Sequence, residues 1–272
     1  NRIVRQKLQL PQNPANYHFN EIRTSTYEFN YLDSSINSLM KKTRDAFLIE
    51  KEFIANVAHE LLTPISILQN RLENMLISNE VPEKFENKII ESQKTLMRLS
   101  KIIKALLMIS KIENDQYIKQ DEVQLPDLID EVLAELEERI DEKQINVIKE
   151  MQPTGPFRPC NRSLLFNMFF NLVNNAIKYN NIHGKIEISG WKESEGYSIR
   201  IRDEGIGIDK DQVENIFDRF KRFHPGNADG QSYGLGLPIV KTISDFHGVE
   251  IKVDTEQLKG SSFTLTFPMT QD

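Results

Sequence analysis

The chain has 272 residues, 39% of them hydrophobic and 27% charged, which fits one large or two modest folded domains and excludes a disordered chain. Lys and Arg number 34 against 40 Asp and Glu, a net charge of −6, so no basic face for nucleic acid is expected. The single cysteine, Cys160, excludes an intrachain disulfide or a multi-cysteine zinc site and points to a reducing compartment.

Reading along the chain, the first residue is Asn1 rather than Met, and a fragment or processed product is expected. Arg2, Arg5 and Lys7 read either as a solvated terminus or as the cytoplasmic flank of a membrane helix lying upstream. No apolar run approaches the ~18 residues of a membrane helix, and no signal peptide is visible. Residues 1–35 read as a linker or the start of a connecting helix. From about Asn37 to Ser78, Ile54, Val57, Leu61, Ile65, Leu68, Leu72 and Met75 form one helical apolar stripe. A turn with Pro82 follows, then a second helix to about Ile112. Its stripe (Ile89, Leu96, Leu99, Ile103, Leu106) is widened by Ile90, Ile102, Leu107 and Ile109. Two antiparallel helices cannot bury so wide a face, whereas a dimer forming a four-helix bundle can.

Beyond SKIENDQ (110–116) the period alternates. Helices are expected at about 126–142, 161–180, 210–218 and 235–247. Strands are expected at 145–150, 185–190, 196–203, 249–254 and 261–267. This is the pattern of an α/β sandwich, with helices on one face of a mixed sheet.

The segment FIANVAHELLTPIS (53–66) carries a histidine, His59, about 200° around the helix from Leu61. It is therefore expected to face outward. Glu60 can hold one imidazole N–H and leave the other nitrogen nucleophilic. Thr63 lies one turn on, and Pro64 should bend the helix by leaving the Glu60 carbonyl unpaired. A zinc protease needs a second histidine where Thr63 stands, so that reading fails. A plain surface histidine is the alternative.

There is no P-loop. Three separate elements take its place. In NLVNNAIKYN (171–180), Asn171 and Asn175 share a helix face, and their amide oxygens suit Mg²⁺. Lys178 offers a cation and Tyr179 a ring. In RDEGIGI (202–208), Asp203 can accept from an exocyclic amine, and Gly205 and Gly207 allow close approach to a flat ring. In YGLGLPIV (233–240), glycines run into a helix start, a phosphate-binding arrangement. Each element alone is common, and their joint occurrence in this order is not.

These residues closely resemble the sensor histidine kinases of two-component systems, from about residue 45 to the C-terminus. FIANVAHELLTP resembles the family's histidine box and NLVNNAIKY its asparagine box. DEGIGI and YGLGL resemble its two glycine boxes, IFDRFKRF (216–223) its phenylalanine box and GSSFTLTFP (260–268) its closing strand. The resemblance implies a linker and signalling helix over 1–44 and a dimerisation and phosphoacceptor domain over 45–115. A catalytic ATP-binding α/β sandwich of the gyrase and heat-shock ATPase type would occupy 116–272. His59 would accept the γ-phosphoryl group, with Glu60 as base. Thr63 would position water for dephosphorylation of the partner. Asn175 and Asn171 would hold Mg²⁺, Lys178 would touch phosphate, Tyr179 would stack near adenine and Asp203 would read its amine. Gly205, Gly207, Ile208, Gly234, Leu235, Gly236 and Leu237 would complete the ATP site. Residues 217–233 would form a lid anchored by Phe217 and Phe220. The implied partners are a second copy of the chain and a response regulator receiver domain, with a membrane anchor and sensor region upstream. This portion would lie in the cytoplasm of a bacterium, and domain motion about residues 113–122 would bring ATP to His59.

The resemblance departs in places. Leu62 stands where the family commonly has Arg, and GQS precedes Tyr233 instead of a denser glycine cluster. Two other readings are a net phosphatase using Glu60 and Thr63, and a dimeric scaffold that binds nucleotide without turnover.

Overall fold

The structure, a computed structural model, describes residues 27–77, 82–194, 196–221 and 234–268. The chain divides into two compact units, residues 1–89 and 90–272.

The first unit is built on helix α1, Tyr27–Ile77. It starts earlier than the apolar stripe predicts, and it passes through Pro64 without a break. Pro64 cannot donate to the Glu60 carbonyl. Two residues on, the Ser66 hydroxyl donates to the Leu62 carbonyl at 3.0 Å. Ile65 is buried, whereas Leu61, Leu68 and Met75 are 46%, 46% and 48% exposed. These three stand seven residues apart, the spacing of a coiled-coil seam.

Helix α2, Glu83–Glu113, runs across the boundary between the units. Its last turns belong to the second unit, where Ile109 and Ile112 enter the core. There follow strand β1 (Asp121–Val123), α3 (Leu125–Glu135), α4 (Glu137–Lys143), β2 (Asn146–Met151) and β3 (Phe157–Cys160). Helix α5 (Arg162–Lys178), β4 (Lys185–Glu193), β5 (Gly196–Asp203), a 3₁₀ turn (Lys210–Asn215), α6 (Gly236–His247), β6 (Glu250–Glu256) and β7 (Gly260–Pro268) complete it.

The main sheet has the order β2-β4-β5-β7-β6. The β2–β4 pair is parallel and the others are antiparallel, so the sheet is mixed as expected. In β4, buried Ile186, Ile188 and Gly190 alternate with half-buried Lys185, Glu187 and Ser189. That period of two gives the sheet one apolar face. Helices α3, α5 and α6 cover it through Leu128, Ile129, Val132, Leu165, Phe169, Val173, Val240 and Ile243. Burying each such side chain is worth about 1.5–3 kcal/mol.

Three elements differ from the sequence expectation. The helix expected at about 210–218 is the shorter 3₁₀ turn Lys210–Asn215. The single helix over 126–142 is two helices, parted at Leu136 (φ −104°, ψ 4°). Its one proline, Pro126, sits in the first turn, and no Gly or Pro lies near the break. Leu136 itself turns into the core, 1% exposed, so tertiary burial overrides helix propensity. A two-stranded ribbon, β1 with β3, is additional. Its strands are too short to display alternation.

Candidate functional site

An open cleft lies in the second unit, lined by apolar side chains with a few convergent polar groups, as small-molecule sites are. Its walls come from α5 (Asn175, Ala176), the following Tyr179, the end of β5 (Asp203) and the turn after it (Gly207, Ile208). Gly234, Gly236, Leu237 and Pro238 close one side, and Ile216, Lys221, Ser261 and Phe263 complete it.

Each wall has a local cause. Asn161 caps the start of α5, its side-chain oxygen accepting from the Leu164 N–H at 3.1 Å. Along α5 the apolar residues Leu172, Val173, Ala176 and Ile177 go into the core, which leaves Asn171 and Asn175 on a shared flank. The Asn171 Nδ2 donates to the Asn167 carbonyl at 2.8 Å. Its Oδ1 faces the start of α6, 3.1 Å from where a Cβ on Gly236 would lie. A side chain at 236 would press on the asparagine.

Asp203 ends β5 with 7% exposure. Its Oδ1 accepts from the Gly205 N–H at 2.9 Å and the Ser261 N–H at 3.3 Å. Burial nevertheless pushes its pKa up to about 6, against the pull of those two donors. The turn beyond is bolted to β6: the Ile208 N–H donates to the Thr255 hydroxyl at 2.8 Å. Gly207 has φ +63°, and a Cβ there would fall 2.1 Å from the Glu256 carbonyl, so glycine is required.

Helix α6 begins at Gly236 with no side-chain cap. Its third residue, Pro238, carries no N–H, so Gly236 and Leu237 supply the free donors of the first turn. Leu235 is buried beside them. The Phe220 N–H donates to the Gly234 carbonyl at 2.9 Å, joining the ends of the 221–233 segment.

The cleft brings together eight of the residues singled out in the sequence: Asn175, Tyr179, Asp203, Gly207, Ile208, Gly234, Gly236 and Leu237. Asn171, Gly205 and Leu235 support its walls. Lys178 sits beside it, with Nζ 5.6 Å from the Tyr179 ring centre. Phe217 packs on the core, but the Phe220 side chain is 56% exposed and its anchoring contact is through the backbone. The expected lid over 217–233 lies outside the described residues from 222 onward. Ala176, Ile216, Lys221, Pro238, Ser261 and Phe263 escaped the sequence reading. All six fall inside segments that were recognised, Pro238 within YGLGLPIV just after the second glycine box.

His59, Glu60 and Thr63 lie on α1 in the first unit. The side-chain direction expected for His59 lies outside the described residues. Glu60 and Thr63 are exposed.

Residues 160–271 match the family model for the histidine kinase-, DNA gyrase B-, and HSP90-like ATPase. Residues 49–115 match that for the His Kinase A (phospho-acceptor) domain. The chain belongs to the sensor histidine kinases of two-component systems. Among curated members, the heme sensor protein HssS of Staphylococcus haemolyticus is 32% identical over 251 residues, 92% of this chain and 52% of HssS. The sensor-like histidine kinase SenX3 of Mycolicibacterium smegmatis is 31% identical over 245 residues, 88% of this chain and 61% of SenX3. Among solved structures, the histidine kinase ThkA in complex with the response regulator protein TrrA aligns with a TM-score of 0.58 and 27% identity. That alignment covers 91% of this chain and 68% of ThkA. The chain spans about half the length of the HssS proteins it matches.

Proposed function

We propose that this chain is the catalytic portion of a dimeric sensor kinase that phosphorylates itself on His59 and passes the phosphoryl group to a response regulator. One observation carries the reading: residues from the asparagine box and both glycine boxes, spread over 61 positions in sequence, converge as Asn175, Asp203, Gly207 and Gly236 on one cleft.

In this reading adenine enters beside Tyr179, where Asp203 accepts from its amine. Oδ1 of Asp203 already serves two backbone donors, which leaves Oδ2 for the ligand. The N–H groups of Gly236 and Leu237 face the phosphates at the start of α6. The amide oxygens of Asn171 and Asn175 form a hard-donor pair of the kind Mg²⁺ takes. When bound, Mg²⁺ neutralises phosphate charge. A nitrogen of His59 attacks the γ-phosphorus, the bond to the ADP oxygen breaks, and Glu60 takes the imidazole proton. The phosphoryl group then moves to an aspartate carboxylate of a receiver domain. Phosphoryl transfer of this kind depends on positioning and charge neutralisation.

Thr63, exposed one turn from Glu60, supports a second activity at the same surface: positioning water to dephosphorylate the regulator. The exposed Leu61, Leu68 and Met75 support pairing of two copies through α1. ATP supply favours a cytoplasmic location, and the greater length of relatives named as sensors supports an input region and membrane anchor upstream. No described helix is long and apolar enough to cross a membrane.

Labelling with γ-labelled ATP tests the cleft. Asn175→Ala and Asp203→Ala are expected to abolish labelling in a chain that stays folded by circular dichroism. Labelling at the wild-type level in either variant contradicts the assignment.

A further inference from the structure

Helix α4 buries none of its residues, yet it touches α5 at two points. Arg139 donates to the side-chain oxygen of Asn174, the one asparagine of NLVNN that is neither the Asn171 nor the Asn175 of the cleft. At the last residue of α4, the Lys143 Nζ donates to the carbonyls of Ile177 (3.1 Å), Lys178 (2.7 Å) and Asn180 (3.3 Å). One ammonium thus satisfies three carbonyls at the C-terminal end of α5, where the helix dipole also favours a cation.

Tyr179 lies between two of those carbonyls, so its backbone is held from both sides. Its own carbonyl accepts from the Ile206 N–H at 3.1 Å. A Cβ on Gly205 would come within 2.2 Å of that same oxygen, so the glycine-box turn rests directly on the Tyr179 peptide. The Gly205 N–H in turn holds Asp203 Oδ1 at 2.9 Å. A continuous path of hydrogen bonds and contact therefore runs from Lys143 through Tyr179 to Asp203. Lys143 lies outside every nucleotide motif and does not line the cleft.

We propose that Lys143 is a positioning residue for nucleotide binding, fixing the Tyr179 peptide and, through it, the turn that presents Asp203. The inference rests on the ATP-site reading above. Charge-assisted bonds of this kind are the strong class, and a displaced turn leaves the ligand's polar group imperfectly paired with Asp203, which costs affinity.

The test is calorimetric titration of the whole chain with Mg²⁺ and a non-hydrolysable ATP analogue, well below each variant's melting temperature, together with autophosphorylation kinetics. Lys143→Met, which keeps the aliphatic stem, is expected to raise Kd and the KM for ATP about tenfold with kcat within about twofold. Lys143→Arg, which keeps the charge but replaces the compact ammonium with a planar fork, is expected to bind more tightly than the Met variant. A Lys143→Met protein with wild-type Kd, even if it melts earlier, overturns the inference. So does loss of kcat with KM unchanged, or equal impairment of the Arg variant. Should the Met variant fail to fold, Lys143→Gln decides: an intermediate Kd supports the inference and a wild-type Kd overturns it. Failure of the wild-type chain to bind the analogue overturns the ATP-site reading along with this one.

Discussion

Asp203 and His247 are both buried and titrate in opposite directions. The carboxyl of Asp203 is pushed up to about 6 by burial. The fold thus holds a proton that the unfolded chain releases, and Asp203 contributes less to stability as pH rises from about 4 to 6. Ionised at neutral pH, it costs the fold about 3 kcal/mol. His247 is pushed down to about 4, by burial first. Its Nε2 accepts from the Asn161 N–H at 3.0 Å, and its Nδ1 pairs with the Ile243 carbonyl at 2.9 Å. Only the neutral ring with its proton on Nδ1 serves both. A histidine in the last turn of a helix usually serves as a cation for the dipole, but this ring is neutral and ties α6 to Asn161, the cap of α5. Gly248, with φ +69°, closes the helix as a left-handed cap. Because the folded value of His247 lies below the unfolded one, its contribution is lost as pH falls from about 6.5 to 4.

The two effects oppose each other between pH 7 and 5. Asp203→Asn leaves the histidine effect alone, and its stability is expected to fall by about 2 kcal/mol over that range relative to the rest of the chain. His247→Gln leaves the aspartate effect alone and is expected to gain about 1 kcal/mol on the same scale. Denaturant midpoints at pH 7 and 5, compared with the double variant, measure both, and equal slopes in the two single variants would contradict the assignment. Asp203→Asn should also weaken binding of Mg²⁺-nucleotide at least tenfold at pH 7.5 while raising the melting temperature. The two backbone donors hold the amide oxygen, so the amide N–H₂ meets the adenine amine donor to donor. Calorimetry with melting curves checks the pair of effects. None of this electrostatics was legible in the sequence, because burial of Asp203 and His247 is set by strands and helices far away in the chain.

At the scale of elements, periodicity carried most of the fold. The β4, β5 and β7 alternation and the α5 and α6 stripes were readable because each has one apolar face. The β1–β3 ribbon was not, since three or four residues show no period. The break at Leu136 was not, since no local residue requires it. The site was legible as motifs, but its far wall was not: Ser261 and Phe263 enter only because β7 pairs with β5, Phe263 opposite Ile201. The α1 seam yields a further prediction. Leu61, Leu68 and Met75 are half exposed in one copy, and two copies can bury them together. Leu68→Lys is expected to raise the dimer dissociation constant more than about tenfold, read by sedimentation equilibrium. The nucleotide affinity of the second unit should be unchanged. An undisturbed dimer would place the interface elsewhere.

For the whole molecule, the kinase reading joins a nucleotide cleft in one unit to a histidine on α1 in the other. The phosphatase reading uses the same α1 surface. Thr63→Ala is expected to leave autophosphorylation within about twofold and to slow regulator dephosphorylation about tenfold or more, measured by loss of label from a phosphorylated receiver domain. Equal loss of both activities would mean that Thr63 serves the histidine itself. The chemical identity of the phosphorylated group decides between the kinase and the other readings. The most direct measurement is incubation with γ-labelled ATP and Mg²⁺, followed by acid or alkali treatment of the labelled chain and of its His59→Gln variant. A label that survives alkali, is lost in acid and is missing from His59→Gln is the predicted result. Label retained by His59→Gln, or stable in acid, would contradict the account.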